Sequence, residues 1–306
     1  MSDSNITAFA FPGMGIRLSG FERAVFLRHR QRMLPFLQEA TEAATADFVA
    51  MLELGTIQKQ NLDDRNSQIF TFGFSAALYE VFRDTGIAAR YMAGYSFGHY
   101  GSLYAARCLS FSGALSCACR AFDLMQECCP VGTWGMVVIV GLGLIEIDDL
   151  VKGSITLVNV NSDTCVICAG LSSELLLLRQ QAVERGALKA EVLPVAIPYH
   201  MPGVLSKASE KLRPYLETLS WRAPAVPIVS SLDQRLLTET DDVIDYTVRH
   251  CCTPIHWLKT VSRLRSLGVN RIIECGPGVS ISRHGKFMPY DISYVNVKNL
   301  LRQYGI

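Results

Sequence analysis

The pentapeptide Gly94-Tyr95-Ser96-Phe97-Gly98 lies between a short apolar run, Tyr91-Met92-Ala93, and a helix-compatible stretch, His99 to Ala106. A strand that turns sharply into a helix belongs to α/β folds. A serine at that turn holds its Oγ clear of the backbone. The helix start behind it supplies free N–H groups and a positive dipole end for a developing oxyanion. Three fixed positions in five also describe an ordinary glycine-rich turn, so the rest of the chain has to decide between a nucleophile and a bend.

The chain has 306 residues, 49% of them hydrophobic and 19% charged. That length suits one large α/β domain, or a large domain with a smaller insert. No run reaches the 18 or so uninterrupted apolar residues of a membrane span. The first residues, Met1-Ser2-Asp3-Ser4-Asn5, lack a basic and apolar leader, so a cytoplasmic location is expected. Lys and Arg number 29 against 28 acidic residues, which gives no field to recruit nucleic acid. The ten cysteines suggest reduced thiols packed as small hydrophobes. The Cys165-Val166-Ile167-Cys168 pair lies in a strand-like run, where positions three apart face opposite sides, and no metal site is expected there.

Periodicity divides the chain further. Ile69, Phe72, Ala76, Tyr79 and Phe82 recur at helical spacing before Gly86, and Ser112 to Gln126 reads as another helix. Ile6 to Phe11 reads as a first strand. Gly135 to Leu142, Ile155 to Val160, Thr164 to Gly170 and Ala190 to Val195 read as strands, with a helix over Ser173 to Arg185. This order predicts a ferredoxin-like subdomain over 131–196, inserted into a large domain formed by 1–130 and 197–306. In the large domain Ser206 to Leu219 is amphipathic. Val226 to Ser231 and Arg271 to Cys275 read as buried parallel strands, with a helix over Ile255 to Leu267 between them.

A serine nucleophile needs a base, and histidine is the usual one. Of the six histidines, His200 is the best candidate: it follows a strand, and Pro198 and Pro202 bracket it. His99 is three residues past Ser96. His29 lies in a charged run and His284 in a polar loop, and neither is given a role. Phe11-Pro12-Gly13-Met14-Gly15 lacks the spacing of a phosphate loop, but after a first strand it is placed to offer a backbone N–H to an oxyanion at Ser96. The glycines of Glu274-Cys275-Gly276-Pro277-Gly278 signal a sharp reversal.

Taken in order, Phe11-Pro12-Gly13-Met14-Gly15, Gly94-Tyr95-Ser96-Phe97-Gly98, Asn159-Val160-Asn161-Ser162, Ile197-Pro198-Tyr199-His200 and Glu274-Cys275-Gly276-Pro277-Gly278 resemble the malonyl-CoA:acyl carrier protein transacylase family over nearly the whole chain. The family's signatures are FPGQG, GHSxGE, N-x-NSP, a loop ending in the catalytic His, and E-x-GPG. The resemblance implies an α/β-hydrolase-like parallel-sheet core with an inserted ferredoxin-like subdomain. It also implies a ping-pong acyl-serine mechanism, with Ser96 as nucleophile and His200 as base and then acid. The backbone N–H groups of Met14 and Phe97 would form the oxyanion hole, and the carbonyl of His250 would orient the histidine. Implied too are a monomer that binds no cofactor, an acyl-CoA or acyl-phosphopantetheine substrate, and an acyl carrier protein as partner, met by a basic rim for which Arg17, Arg283 and Lys286 are candidates.

The departures bear on the acyl pocket, for which Tyr95, His99, Arg120, Ala121, Asn161 and Tyr199 are the candidate residues. Tyr95 replaces the family's His before the serine, His99 replaces its Glu, and Met14 replaces its first-loop Gln. Malonyl-using members carry an arginine that pairs with the substrate carboxylate. Counting 25 residues on from Ser96 reaches Ala121, with Arg120 as its neighbour, roughly 100° away on a helix. A buried carboxylate without its cation is costly. The expected function is therefore acyl transfer of a non-malonyl group in polyketide or fatty acid biosynthesis. The alternatives are ordinary malonyl transfer, an acyl hydrolase that clears carrier proteins, and a non-catalytic docking module.

Overall fold

The computed structural model describes residues 5–13, 18, 20–57, 62–130 and 132–299. It divides into two compact units, one of Met1–Cys119, Leu219–Val243 and Thr260–Ile306, the other of Arg120–Thr218 and Ile244–Lys259.

The first unit is built on a six-stranded sheet. Its strands are β1 (Thr7–Phe11), β2 (Tyr91–Gly94), β7 (Ile228–Val229), β8 (Leu236–Leu237), β10 (Arg271–Glu274) and β11 (Ser293–Val295), in the order β11-β10-β1-β2-β7-β8. All neighbours are parallel except β7 and β8. β1 sits centrally and is buried along its whole length, as a strand covered on both faces must be. Three helices that periodicity did not signal precede the main one: α1 (Phe21–Arg28), α2 (Arg30–Glu42) and α3 (Phe48–Leu54). α4 (Asp64–Asp84) is capped by Asp63, whose side chain accepts from the Asn66 N–H, and buries residues on nearly every side. Buried all round, it is a core helix and not a surface one. α5 (Gly98–Ala105) follows β2 directly, and α12 (Ser280–Gly285) follows β10.

The second unit holds a five-stranded sheet of β3 (Trp134–Val140), β4 (Thr156–Ser162), β5 (Cys165–Leu171), β6 (Lys189–Val192) and β9 (Ile255–His256), in the order β6-β3-β5-β4-β9. Helix α7 (Leu144–Leu150) lies between β3 and β4, and α8 (Ser172–Glu184) between β5 and β6. This is a βαββαβ unit with antiparallel β3, β4, β5 and β6, the ferredoxin-like arrangement. Val137, Ile139, Ile147, Leu150, Val166, Leu175 and Leu178 form its core. Cys168 belongs to that core. The sheet extends beyond the 131–196 segment, because β9 pairs parallel with β4. Residues 255–256 are thus strand where a helix was expected, and α11 (Trp257–Ser266) starts after them. α6 (Phe111–Glu127), α9 (Pro202–Leu216) and α10 (Thr240–His250) complete the described helices. No described helix is long and apolar enough to cross a membrane.

Candidate active site

Ser96 adopts φ 51°, a left-handed conformation that a residue with a side chain holds only when its surroundings enforce it. The enforcement is visible. Tyr95 N–H donates to the Phe11 carbonyl at 2.9 Å, Gly98 N–H to the Tyr95 carbonyl at 2.9 Å and His99 N–H to the Ser96 carbonyl at 2.9 Å. A Cβ on Gly94 would collide with the backbone of His99, and one on Gly98 with the Phe11 carbonyl. The two glycines therefore let the helix start press against β2 and β1. Among residues 94–98 only Ser96 is not buried.

The segment after β1 lies on this turn. A Cβ on Gly13 would stand 3.1 Å from Tyr95 Cδ1 and 3.2 Å from Ser96 Cβ. Met14, the next residue, falls outside the described residues, as does Arg17. Phe97 is the N-cap of α5, where N–H groups have no intrahelical acceptor, and no hydrogen bond of its N–H is found among the described residues. The turn thus places a half-buried serine at a helix N-terminus, which suits attack on a carbonyl.

Around the turn, Tyr95 packs edge-on against the His284 ring, with centroids 5.5 Å apart. His284 is in α12, not in the loop expected for it. Burial, with a smaller contribution from Arg283, pushes its pKa down to about 4. His99 is fully buried, which lowers its pKa to about 3, and its ring lies 5.4 Å from that of Tyr100. α12 is held by Glu274, whose carboxylate accepts from the N–H groups of Ile281 and Ser282 at 2.9 Å each and from Ser282 Oγ at 2.6 Å. The acidic residue of the Glu274-to-Gly278 turn is therefore a helix cap supplied from the preceding strand, a role its sequence neighbourhood does not reveal.

In the second unit His200 also has a left-handed backbone, φ 65°, between Pro198 and Pro202, the first residue of α9. Its Nδ1 is 3.0 Å from the carbonyl oxygen of His250. An acceptor there fixes the proton on Nδ1 and leaves Nε2 as the basic nitrogen. Burial lowers the ring's pKa to about 4, against the opposing pull of the His250 and Thr253 carbonyls, so the imidazole is neutral at pH 7. Asn161 is buried near the end of β4, with Nδ2 3.8 Å from Cys165 Sγ. Tyr199 is buried beside His200.

α6 carries Arg120 and Ala121. Arg120 is exposed, while Ala121 is 1% exposed. The helix buries Ala114, Cys117, Ala118 and Ala121 along with Leu115, Phe122, Leu124 and Met125, with no charge among them. Among the described residues no lysine or arginine is buried anywhere in the chain. Arg283 and Lys286 are exposed. The described residues contain no group of three or more His, Cys, Asp or Glu side chains placed to hold a metal.

No family model matches the chain. It is 31% identical over 289 residues to the malonyl CoA-acyl carrier protein transacylase of Escherichia coli K12, covering 89% of each protein. Its fold matches that of an acyl-carrier-protein S-malonyltransferase from Burkholderia pseudomallei 1710b, with TM-score 0.85, 29% identity and 95% of each chain covered. It also matches a malonyl transacylase solved in complex with its type II PKS acyl carrier protein, with TM-score 0.86, 27% identity and 95% of each chain covered. The elbow, the buried histidine and this likeness along almost the full length agree: the chain belongs to the malonyl CoA-acyl carrier protein transacylase family and is an acyltransferase.

Proposed function

We propose that the chain transfers an uncharged acyl group from a CoA or phosphopantetheine thioester to an acyl carrier protein, through an acyl-serine at Ser96. The observation that carries the choice of acyl group is Ala121, buried in α6 at the position 25 residues after Ser96 where malonyl-using members carry an arginine, with its neighbour Arg120 exposed. A carboxylate bound without that cation loses its hydration without compensation, whereas an alkyl or other neutral acyl chain loses nothing of the kind.

In the first half-reaction the Ser96 Oγ–H bond breaks as Oγ bonds to the thioester carbonyl carbon, and His200 Nε2 takes the proton. The negative charge that develops on the carbonyl oxygen is received by the Phe97 N–H, by the positive end of α5 and, by family likeness, by the Met14 N–H. Collapse breaks the C–S bond, and His200 returns the proton to the leaving sulfur. The carrier's thiol then reverses these steps. Neutral His200 is the form that can accept the first proton, and the His250 carbonyl stabilises the cation it becomes. The carrier protein as acceptor is supported by the names of the relatives, and Arg283 and Lys286 are exposed cations suited to an acidic partner. Ten cysteines free of disulfides fit a reducing compartment such as the cytoplasm.

Intact-protein mass spectrometry tests this reading. Incubation with acetyl-, propionyl- or butyryl-CoA should add one acyl mass to the wild type and none to Ser96→Ala or His200→Ala. Faster loading by malonyl-CoA than by every neutral donor would overturn the choice of acyl group. Release of free acid, with no gain when a holo carrier protein is added, would make the chain a hydrolase instead.

A further inference from the structure

Backbone carbonyls hold the His200 ring at its edge, that of His250 at Nδ1 and that of Thr253 as well. Further contacts bear on the orientation of its plane. The His250 ring stands edge-to-face with the His200 ring, with centroids 5.2 Å apart and an interplanar angle of 87°. Tyr246, one turn earlier on α10, stands against the His250 ring at 5.5 Å and 72°. All three rings are buried, at 4% exposure or less. The helices that carry them are tied together: Ser209 Oγ in α9 donates to the Val248 carbonyl in α10, and Arg213 Nη2 in α9 is 3.1 Å from Asp245 Oδ1 in α10. α9 begins two residues after His200, and α10 ends at His250.

We infer that the side chains of His250 and Tyr246 are positioning residues: a ladder of two rings on one face of α10 locks the orientation of the His200 imidazole. The inference goes beyond the role of the His250 carbonyl and rests on the reading of His200 as the base. Edge-to-face contact aligns the positive rim of one ring with the π-face of the next, so it adds a constraint on the plane of His200 to the hydrogen bonds at its edge. Misplacement of a base by about 1 Å can cost on the order of 100-fold in rate.

The test uses the full chain with a substituted 250 side chain and an unchanged main-chain carbonyl. For His250→Ala the rate of Ser96 acylation at saturating acyl-CoA should fall about 10- to 100-fold, with the donor concentration for half-maximal rate unchanged. His250→Phe keeps the ring and should stay within about threefold of wild type. Tyr246→Leu, which leaves His250 in place, should lose on the order of three- to tenfold. In proton NMR the downfield Nδ1–H signal of His200 should be sharp in wild type and in His250→Phe, and broadened in His250→Ala. General loss of stability in a protein that remains folded would leave that signal sharp. If His250→Ala does not fold, the Tyr246→Leu rate and signal decide. A rate and signal equal to wild type in either the Ala or the Leu variant overturns the ladder. If His200→Ala itself retains full acylation, the reading of His200 as base fails instead, whatever the ladder does.

Discussion

Two residues with a left-handed backbone, Ser96 at φ 51° and His200 at φ 65°, are those to which the chemistry is assigned, and for Ser96 the contacts that enforce it are visible. Strain of about 1–3 kcal/mol at such a position persists only where the surroundings over-determine it. For His200 the surroundings also set the charge. With its pKa lowered to about 4 by burial, the ring is neutral across the ordinary working range, and its competence as a base does not titrate near 6.5. We therefore expect kcat/KM for acylation to vary less than about twofold between pH 5.5 and 8, measured by quench-flow with a neutral acyl-CoA. A protonation limb centred near 6.5 would mean that His200 is solvated during the reaction. At this scale Ser96 was legible in the sequence because an elbow needs its glycines, and Gly94 and Gly98 each abut backbone. His200 was legible only through its bracketing prolines and its place among ordered motifs. Tyr246 was not, because an aromatic residue four before a histidine is an ordinary helical spacing until the ring it touches is known.

At the scale of elements, the best-read parts of the chain are those whose pattern is local. β2, the elbow and α5 follow from an apolar run, two glycines and a helix start. The four antiparallel strands of the ferredoxin-like unit follow from β-rich runs separated by turns. Elements organised by distant groups were missed. α12 is six residues long, Ser-Ile-Ser-Arg-His-Gly, with no local reason to be helical, and it exists because Glu274 at the end of β10 satisfies its first N–H groups. Glu274→Ala should therefore cost about 3 kcal/mol in urea unfolding, because buried donors are left without their charged acceptor. It should also loosen His284 from Tyr95. Glu274→Gln keeps one acceptor and should cost about half as much. A loss for Glu274→Ala no larger than that of an exposed-site control such as Glu239→Ala would show that the cap is not what holds α12. The elbow makes a second prediction at this scale. Gly98→Ala places a methyl group into the Phe11 carbonyl and must part α5 from β1, so acyl loading at Ser96 should fall at least about 100-fold while far-ultraviolet circular dichroism stays near wild type.

Across the whole molecule, the chain keeps His99 and His200 buried and neutral and His284 half-buried, and this fixes how it responds to acid. His99 and His200 have pKa values lowered to about 3 and about 4, and His284 to about 4, against an unfolded value near 6.5. A group with a depressed folded pKa lets the unfolded chain bind the proton first, so stability is complete above 6.5 and drains away as pH falls toward 4. His29 and His256 are also lowered, but they are only partly buried and add less. Glu274 works in the opposite sense: burial raises its pKa, so its contribution is present at low pH and is lost as pH rises through its folded value. One carboxylate does not offset three imidazoles. At about 1.4 kcal/mol per pH unit for each proton taken up, His99 and His200 alone remove roughly 5 kcal/mol between pH 7 and 4.5, a large part of the stability of an ordinary domain. Urea unfolding measured at half-unit steps should give a slope of two to three protons between pH 6 and 4.5, with the transition midpoint falling steeply as acid is added. A slope near zero would require these rings to titrate in the folded chain as they do in the unfolded one. The low pKa assigned to His200 would then fall along with the acid sensitivity.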